Sequence, residues 1–536
     1  MIMNTQSLHN KAEWERVNVK LPRYNVPKMI SETKASPIWV HFGAGNIFRG
    51  YIAALQQSLL NKGLAEKGII VAETYDFEII DKIYTPFDNL TMKVILNSDA
   101  TIEREIVASV AETVKTGDSV QMKRLAQIFA DPCLQLISFT ITEKGYALTS
   151  TDGALLPVVK ADMTEGPEHA RHVMSIVAAM LFKRYQTCAH PIAAVSMDNC
   201  SHNGEKLQSS VIEIVKAWMK NGFVDDGFVT FVSDGSNVSF PWSMIDKITP
   251  RPAKAVEDTL ADIGIKGMDS IMTDKSTYIA PFVNAERPEY LVIEDKFPNG
   301  RPLLEKVGVY FSDRDTVNKV ERMKVTTCLN PLHTAMSMYG CLFGYTLISK
   351  EMQDPDIVAL IHRLGYVEGL PVVTDPGILS PKAFIDEVVQ ERLPNPFMPD
   401  DPRRIATDTS QKVGVRFGET IKSYVREGRN LNSLISVPLA LAGWLRYLLA
   451  VDDNGYEMEV STDPLKDELQ AKLSGIVWND PSSYSGQLRE ILSNALIFGS
   501  DLTQTILADK IEAIFIEELA GVGAVRATLK KYIQPT

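Results

Sequence analysis

The sequence predicts an α/β protein in two parts: a doubly wound, mainly parallel sheet domain over residues 1–312 and a mostly α-helical domain over residues 313–536. Three observations lead there. Up to Tyr310, short apolar runs bounded by turn residues alternate with helically spaced segments, the pattern of strands joined by helical crossovers. Beyond Tyr310 the apolar period becomes helical and strand candidates almost disappear. The chain, at 536 residues, also exceeds the size at which one hydrophobic core stops growing.

The first element is the apolar run of residues 38–42, which enters Gly43-Ala-Gly45 and is followed by helical spacing over residues 47–62, with Gly63 placed to end that helix. A second apolar run at 68–72 completes a strand, turn, helix, strand unit, the opening of a nucleotide-binding sheet. Further strands are expected at 134–139, 192–197 and 228–232, and helices at 170–185 and 207–220. In the second part, helices are expected at 331–348, 434–450 and 488–498. The proline-rich stretch 391–408 must be loop.

Composition excludes several function classes. With 45% apolar and 23% charged residues the chain is an ordinary globular protein. Its net charge of −12 argues against nucleic-acid or anionic-membrane binding. A small anionic substrate stays compatible, because only the local field of a pocket matters. No segment reads as an export signal or membrane span. The cysteines Cys133, Cys188, Cys200, Cys328 and Cys341 are scattered and odd in number, which suits reduced thiols in the cytoplasm.

Five segments can carry chemistry. In Gly43-Ala-Gly45-Asn46-Ile47-Phe48 the first two glycines allow a tight turn and close backbone approach to a pyrophosphate. Phe48 stands where a dinucleotide fingerprint has its third glycine. Asn46, Ile47 and Phe48 complete the candidate cofactor-binding stretch. An acid at the end of the second strand should meet the adenosine ribose, and Glu73 or Asp76 is available.

Asn199, at the C-terminal edge of a predicted strand, could donate to a carbonyl or alkoxide oxygen, with an Asx turn as its structural alternative. Asp246 could bind hydroxyls or cap the turn before Pro250. Thr140-Ile-Thr-Glu143-Lys-Gly-Tyr146 offers hydroxyls and a carboxylate near the same edge.

The fifth segment combines Lys324, Asn330 and His333: a base, an amide and an imidazole suited to proton abstraction from an alcohol. Asn330 before Pro331 reads as a helix N-cap, with His333 one turn in on the same side. A capping Asn, a surface Lys and a satisfied core His are the structural alternative. His169 and His172 have the spacing of a helical metal pair, but no acidic or cysteine ligand lies next to them in a recognisable pattern, so a solvated helix face is expected, and no metal.

Together these segments resemble the polyol-specific long-chain dehydrogenases, the mannitol dehydrogenase family. The ordered matches are the glycine turn, Thr140 to Tyr146, Ser196-Met-Asp-Asn199, Asp246-Lys-Ile-Thr-Pro250, Val292-Ile-Glu-Asp295, Glu321-Arg-Met-Lys324 with Leu329-Asn-Pro-Leu-His333, and Asn395-Pro396. The resemblance implies a Rossmann-type N-terminal domain, a helical C-terminal domain and metal-independent, NAD-dependent chemistry. It makes Lys324 the catalytic acid/base, Asn199 and Asn330 the oxyanion-binding pair, and His333 a substrate-orienting group. Arg404 and Lys412 resemble family substrate-binding positions and are candidates for gripping a carboxylate.

The expected reaction interconverts a secondary hydroxyl and a ketone on an open-chain sugar acid, D-fructuronate to D-mannonate. Tagaturonate and neutral polyols such as mannitol are the alternatives, and a non-catalytic dinucleotide-binding regulator is the reading from another class. A monomer or weak homodimer is expected. The family usually has five positions from the lysine to the asparagine, whereas this chain has six. That extra residue is expected to be absorbed in a turn between them, since one residue rotates a helix by about 100°.

Overall fold

The computed structural model describes residues 1–533 and divides into two compact units. The first comprises Met1–Asn97 and Thr101–Val317; the second comprises Ser98–Ala100 and the chain from Asn318 onward.

The first unit is built on a six-stranded sheet of β1 (Trp39–Phe42), β2 (Ile69–Glu73), β3 (Val110–Lys115), β4 (Leu136–Phe139), β5 (Ile192–Ser196) and β6 (Val238–Ser239). The spatial order is β3-β2-β1-β4-β5-β6, and every neighbouring pair is parallel. This order reverses direction beside β1, the topology that leaves a binding crevice at the strand C-termini.

Alternation along the strands fills two cores. Val40, Phe42, Ile70, Ala72, Ile137, Phe139, Ile192 and Ala194 share one cluster; Trp39, Ile69, Val71, Leu136, Ala193 and Val195 share another. Successive side chains point to opposite faces, so apolar runs without polar alternation mean that both faces are covered. Each fully buried Val, Ile, Leu or Phe contributes about 1.5–3 kcal/mol. Crossover helices include α1 (Ala53–Asn61), α2 (Ser119–Phe129), α3 (Val173–Thr187) and α4 (Asn203–Lys220). Gly63, at φ +67°, ends α1 as the sequence predicts, with the Leu64 N–H reaching back to the Leu59 carbonyl.

Residues 228–232, expected as a strand, belong instead to the helix α5 (Asp226–Ser233). The Asp225 carboxylate accepts from the Phe228 N–H, and Phe228, Phe231 and Val232 are buried. Their spacing is helical, and the cap decides the conformation. The last strand is the shorter β6.

The first unit also contains a four-stranded sheet in the order Val19–Lys20, Ile102–Val107, Thr91–Leu96, Phe282–Glu286, and a three-stranded one of Ser243–Asp246, Tyr290–Glu294 and Tyr310–Ser312. No sequence expectation covered the four-stranded sheet.

The second unit is helical. It includes α6 (Arg314–Met323), whose first turn belongs to the first unit, then α7 (Asn330–Leu342), α8 (Ser436–Tyr447) and α9 (Leu507–Glu518). α8 is buried along its whole length and packs against both α7 and α9. Its Arg446 is satisfied by backbone carbonyls, including Val451 at 2.6 Å. Residues 391–408 are mostly loop but include the short helix Pro402–Ile405. No helix among the described residues is long and apolar enough to cross a membrane.

Candidate functional site

In the first unit, β1 ends where Gly43 turns at φ +101° and donates to the Ala72 carbonyl of β2. Glycine is required at 43: a Cβ there would run into the Thr140 carbonyl oxygen and lie 3.0 Å from its carbon. Gly45 differs, since a Cβ there would meet no protein atom within 4 Å. The open backbone at Gly45 therefore fits the close approach of a pyrophosphate. Gly50, which sequence reasoning left unused, supplies tight packing, because a Cβ there would stand 2.7 Å from Val283 Cγ1.

The turn is braced on all sides. The Ala44 N–H donates to Glu73 Oε2 at 2.9 Å, and the Ala44 carbonyl accepts from the Tyr84 hydroxyl at 3.1 Å. Glu73 Oε1 accepts from the backbone N–H groups of Thr74, Tyr75 and Asp76. Glu73 thus ties the glycine turn to the loop after β2, a clamp that local sequence does not reveal. Asn46 accepts from Arg49 at 2.8 Å, and burial pulls the Arg49 pKa down to about 10. The Phe48 ring is buried and stacked on His41 at 4.3 Å, leaving only its backbone for a cofactor; Ile47 is partly exposed.

Beyond β5, Asp198 organises the edge that the sequence assigned to Asn199. Its carboxylate accepts from the Ile141 and Thr142 N–H groups, both at 2.9 Å, and from the Tyr146 hydroxyl at 2.6 Å. The two motifs at 140–146 and 196–199 are therefore one hydrogen-bonded structure. Asn199 lies exposed just past this anchor. Asp246 is buried at the end of the strand Ser243–Asp246.

In the second unit α6 continues into the π turn Lys324–Cys328, closed by the Leu329 N–H donating to the Lys324 carbonyl at 3.1 Å. An i to i+5 turn takes up one residue more than an α turn. The five residues from Lys324 to Cys328 thus form one wide turn, and Leu329 separates it from α7. Lys324 is 5% exposed. Asn330 is not the N-cap that the sequence suggests. Leu329, at φ −129°, occupies that position; Asn330 is the first helical residue and Pro331 the second. Leucine has no polar side-chain atom, so no side-chain cap is made. The Asn330 amide, partly exposed, has no hydrogen-bond partner among the described residues, and His333 follows three positions later, about 60° round the helix.

The His333 side chain is 19% exposed, with Nε2 3.9 Å from Asp400. Burial lowers its pKa to about 4; Asp400 opposes this, while Arg416, Arg404 and Arg392 reinforce it. The imidazole is neutral at neutral pH and able to accept or donate a hydrogen bond. The sequence-chosen Arg404 and Lys412 belong to the same cluster: Arg404 pairs with Asp400, and burial together with Arg416 lowers the Lys412 pKa. Sequence reasoning missed Arg416, whose only signal was its i+4 spacing from Lys412.

His169 and His172 do not share a helix face. His169 lies in a short 3-10 turn, and His172 caps α3, its ring accepting from the Met174 N–H at 3.3 Å. The helix begins only after His172, so neither imidazole stands on it. Among the described residues no three His, Cys, Asp or Glu side chains are grouped to hold a metal ion.

Comparison with known proteins bears on this arrangement. The family model described as the mannitol dehydrogenase Rossmann domain matches residues 37–306, and that described as the mannitol dehydrogenase C-terminal domain matches 316–515. A D-mannonate oxidoreductase from Thermotoga maritima is 47% identical over 99% of both chains. A mannitol 2-dehydrogenase from Aspergillus fumigatus is 28% identical over 99% of both. Among solved structures, the Pseudomonas fluorescens mannitol 2-dehydrogenase ternary complex with NAD and D-mannitol matches with a TM-score of 0.68 at 25% identity, covering 99% of each chain. A D-sorbitol dehydrogenase in substrate-free form matches with a TM-score of 0.80 at 24% identity, over 98% of this chain and all of that one, a likeness of fold. This chain belongs to the mannitol dehydrogenase family.

Proposed function

We propose that this protein is an NAD-dependent oxidoreductase interconverting D-fructuronate and D-mannonate. The observation that carries the reading is the 47% identity, across 99% of both chains, to a relative named D-mannonate oxidoreductase. The basic cluster beside His333 supports an acidic substrate. The open backbone at Gly45 in the first unit supports a dinucleotide.

NAD, when bound, supplies or accepts the hydride. In the reductive direction the Lys324 ammonium protonates the oxygen of the former carbonyl; in the oxidative direction the neutral amine takes the hydroxyl proton. Asn330 donates to that oxygen as negative charge develops, and Asn199 of the first unit serves as the second donor, each contributing on the order of 3 kcal/mol. His333, neutral, orients a substrate hydroxyl. Asp246, Arg404 and Lys412 bind the remainder of the substrate, while Gly43, Gly45, Asn46, Ile47, the Phe48 backbone and Glu73 form the cofactor side. Residues 1–312 act as the dinucleotide-binding domain and residues 313–536 as the substrate domain.

A neutral polyol is the second reading. It is favoured by the engagement of Arg404 with Asp400, which satisfies that cation without a ligand. The test is a spectrophotometric panel following NADH and NADPH oxidation with D-fructuronate, D-tagaturonate and D-fructose. The proposal expects the highest kcat/KM with NADH and D-fructuronate. Turnover of none of them would overturn it in favour of a dinucleotide-binding regulator.

A further inference from the structure

Among the described residues no carboxylate lies within ion-pair distance of Arg416. It lies on the π turn Gly414–Gly418, one turn beyond Lys412, and its Nη1 donates to the hydroxyl of Thr334, the neighbour of His333 on α7. Burial draws its pKa down to about 10, and no carboxylate acts to restore it. Arg404, by contrast, is 65% exposed and held by Asp400, and the Lys412 ammonium donates to the Thr407 carbonyl. A partly buried guanidinium without a counter-charge favours an anion beside it.

The turn carrying Arg416 is fixed in place. A Cβ at Gly414 would stand 2.7 Å from the Ile497 carbonyl oxygen, and one at Gly418 would collide with that of Phe498. Only glycines allow the chain so close, so the guanidinium is presented on a segment locked against its neighbour. A guanidinium has five N–H donors in a planar fork that matches a carboxylate. The bond to Thr334 uses one of them.

We infer that Arg416 is a specificity-determining residue that binds the carboxylate of an acidic substrate beside His333. This deepens the function proposed above and rests on it for the class of substrate, a sugar acid. Arg416 selects the acid over the neutral polyol of the same carbon skeleton, because only the acid supplies the missing counter-charge.

The test is calorimetric binding of D-mannonate and of D-mannitol to the full-length protein with saturating NAD, for the wild type, Arg416→Gln and Arg416→Lys. Wild type should prefer D-mannonate. In Arg416→Gln the ratio of D-mannonate to D-mannitol affinity should fall on the order of 10–100-fold, as expected for a lost hydrogen bond to a charged group. Arg416→Lys should lie between, since the charge remains and the fork is lost. If Arg416→Gln does not fold by urea unfolding, the lysine variant decides. No preference for D-mannonate in wild type, an unchanged ratio in either folded variant, or equal weakening of both ligands would overturn the inference. Binding of D-mannonate that depends on Arg416, without any NADH formation, would sustain the inference and refute the oxidoreductase reading.

Discussion

Replacing Gly43 and Gly45 by alanine, one at a time, separates what the turn after β1 does for the fold from what it does for a cofactor. At Gly43 the backbone has φ +101°, and an added Cβ runs into the Thr140 carbonyl oxygen, 3.0 Å from its carbon. A backbone conformation that L side chains rarely adopt costs on the order of 1–3 kcal/mol. The collision must also displace the backbone just beyond β4, so Gly43→Ala should lose about 3 kcal/mol or more. At Gly45 no protein atom lies within 4 Å of the added Cβ and the conformation is ordinary. Gly45→Ala should therefore change stability by less than about 1 kcal/mol, and toward greater stability. Its methyl group nonetheless occupies the space through which a pyrophosphate would approach, so NADH affinity should fall by about tenfold or more, equivalent to at least about 1.4 kcal/mol. Urea unfolding followed by circular dichroism reads the first quantity, and titration of NADH fluorescence reads the second. Wild-type NADH affinity in Gly45→Ala would refute the assignment of this turn as the pyrophosphate cradle.

Three further outcomes are expected. Burial lifts the Glu518 pKa to about 8, against a hydrogen bond from the Tyr339 hydroxyl at 3.0 Å. A carboxyl raised above its unfolded value contributes stability at low pH that is lost as pH rises toward the folded value, by about 1.4 kcal/mol per unit. Urea unfolding between about pH 5 and pH 8 should show that decline, and Glu518→Gln should flatten it; the same slope in the variant would contradict the assignment. The acids Glu73 and Asp76 after β2 should make kcat/KM larger with NADH than with NADPH, through repulsion of the 2′-phosphate, and parity would reject their placement near the ribose. Exhaustive chelation should leave turnover unchanged, whereas loss of activity restored by zinc would displace lysine as the source of the proton.

The parallel sheet was legible because strands buried on both faces leave apolar runs with little polar alternation, as in Trp39–Phe42, where only His41 is polar, and in Ile69–Glu73, where only the last residue is. The same criterion failed at residues 228–232, where a dense apolar run carries helical spacing and Asp225 supplies the cap. Asn330 and His333 stand one helical turn apart as their spacing implies, but the chain before them could not be read. A π turn at Lys324–Cys328 is set by the register of hydrogen bonds, and no residue type announces it. Glu73 and Asp198 carry side-chain bonds to backbone groups distant in sequence, Ala44 and Ile141 among them. Such bonds appear only after the strands are placed side by side. Arg416 became visible for the same reason, since its relation to Thr334 spans 82 positions.

The most direct test of the central claim is turnover by Lys324→Ala with D-fructuronate and NADH. Urea unfolding and NADH titration on the same sample establish that the variant is folded and binds cofactor. If Lys324 is the acid/base, kcat falls by about 10²–10⁴ while the NADH dissociation constant stays within about twofold of wild type. Near-normal turnover in a folded variant that binds NADH would mean that another group moves the proton and that the π turn carries no catalytic lysine.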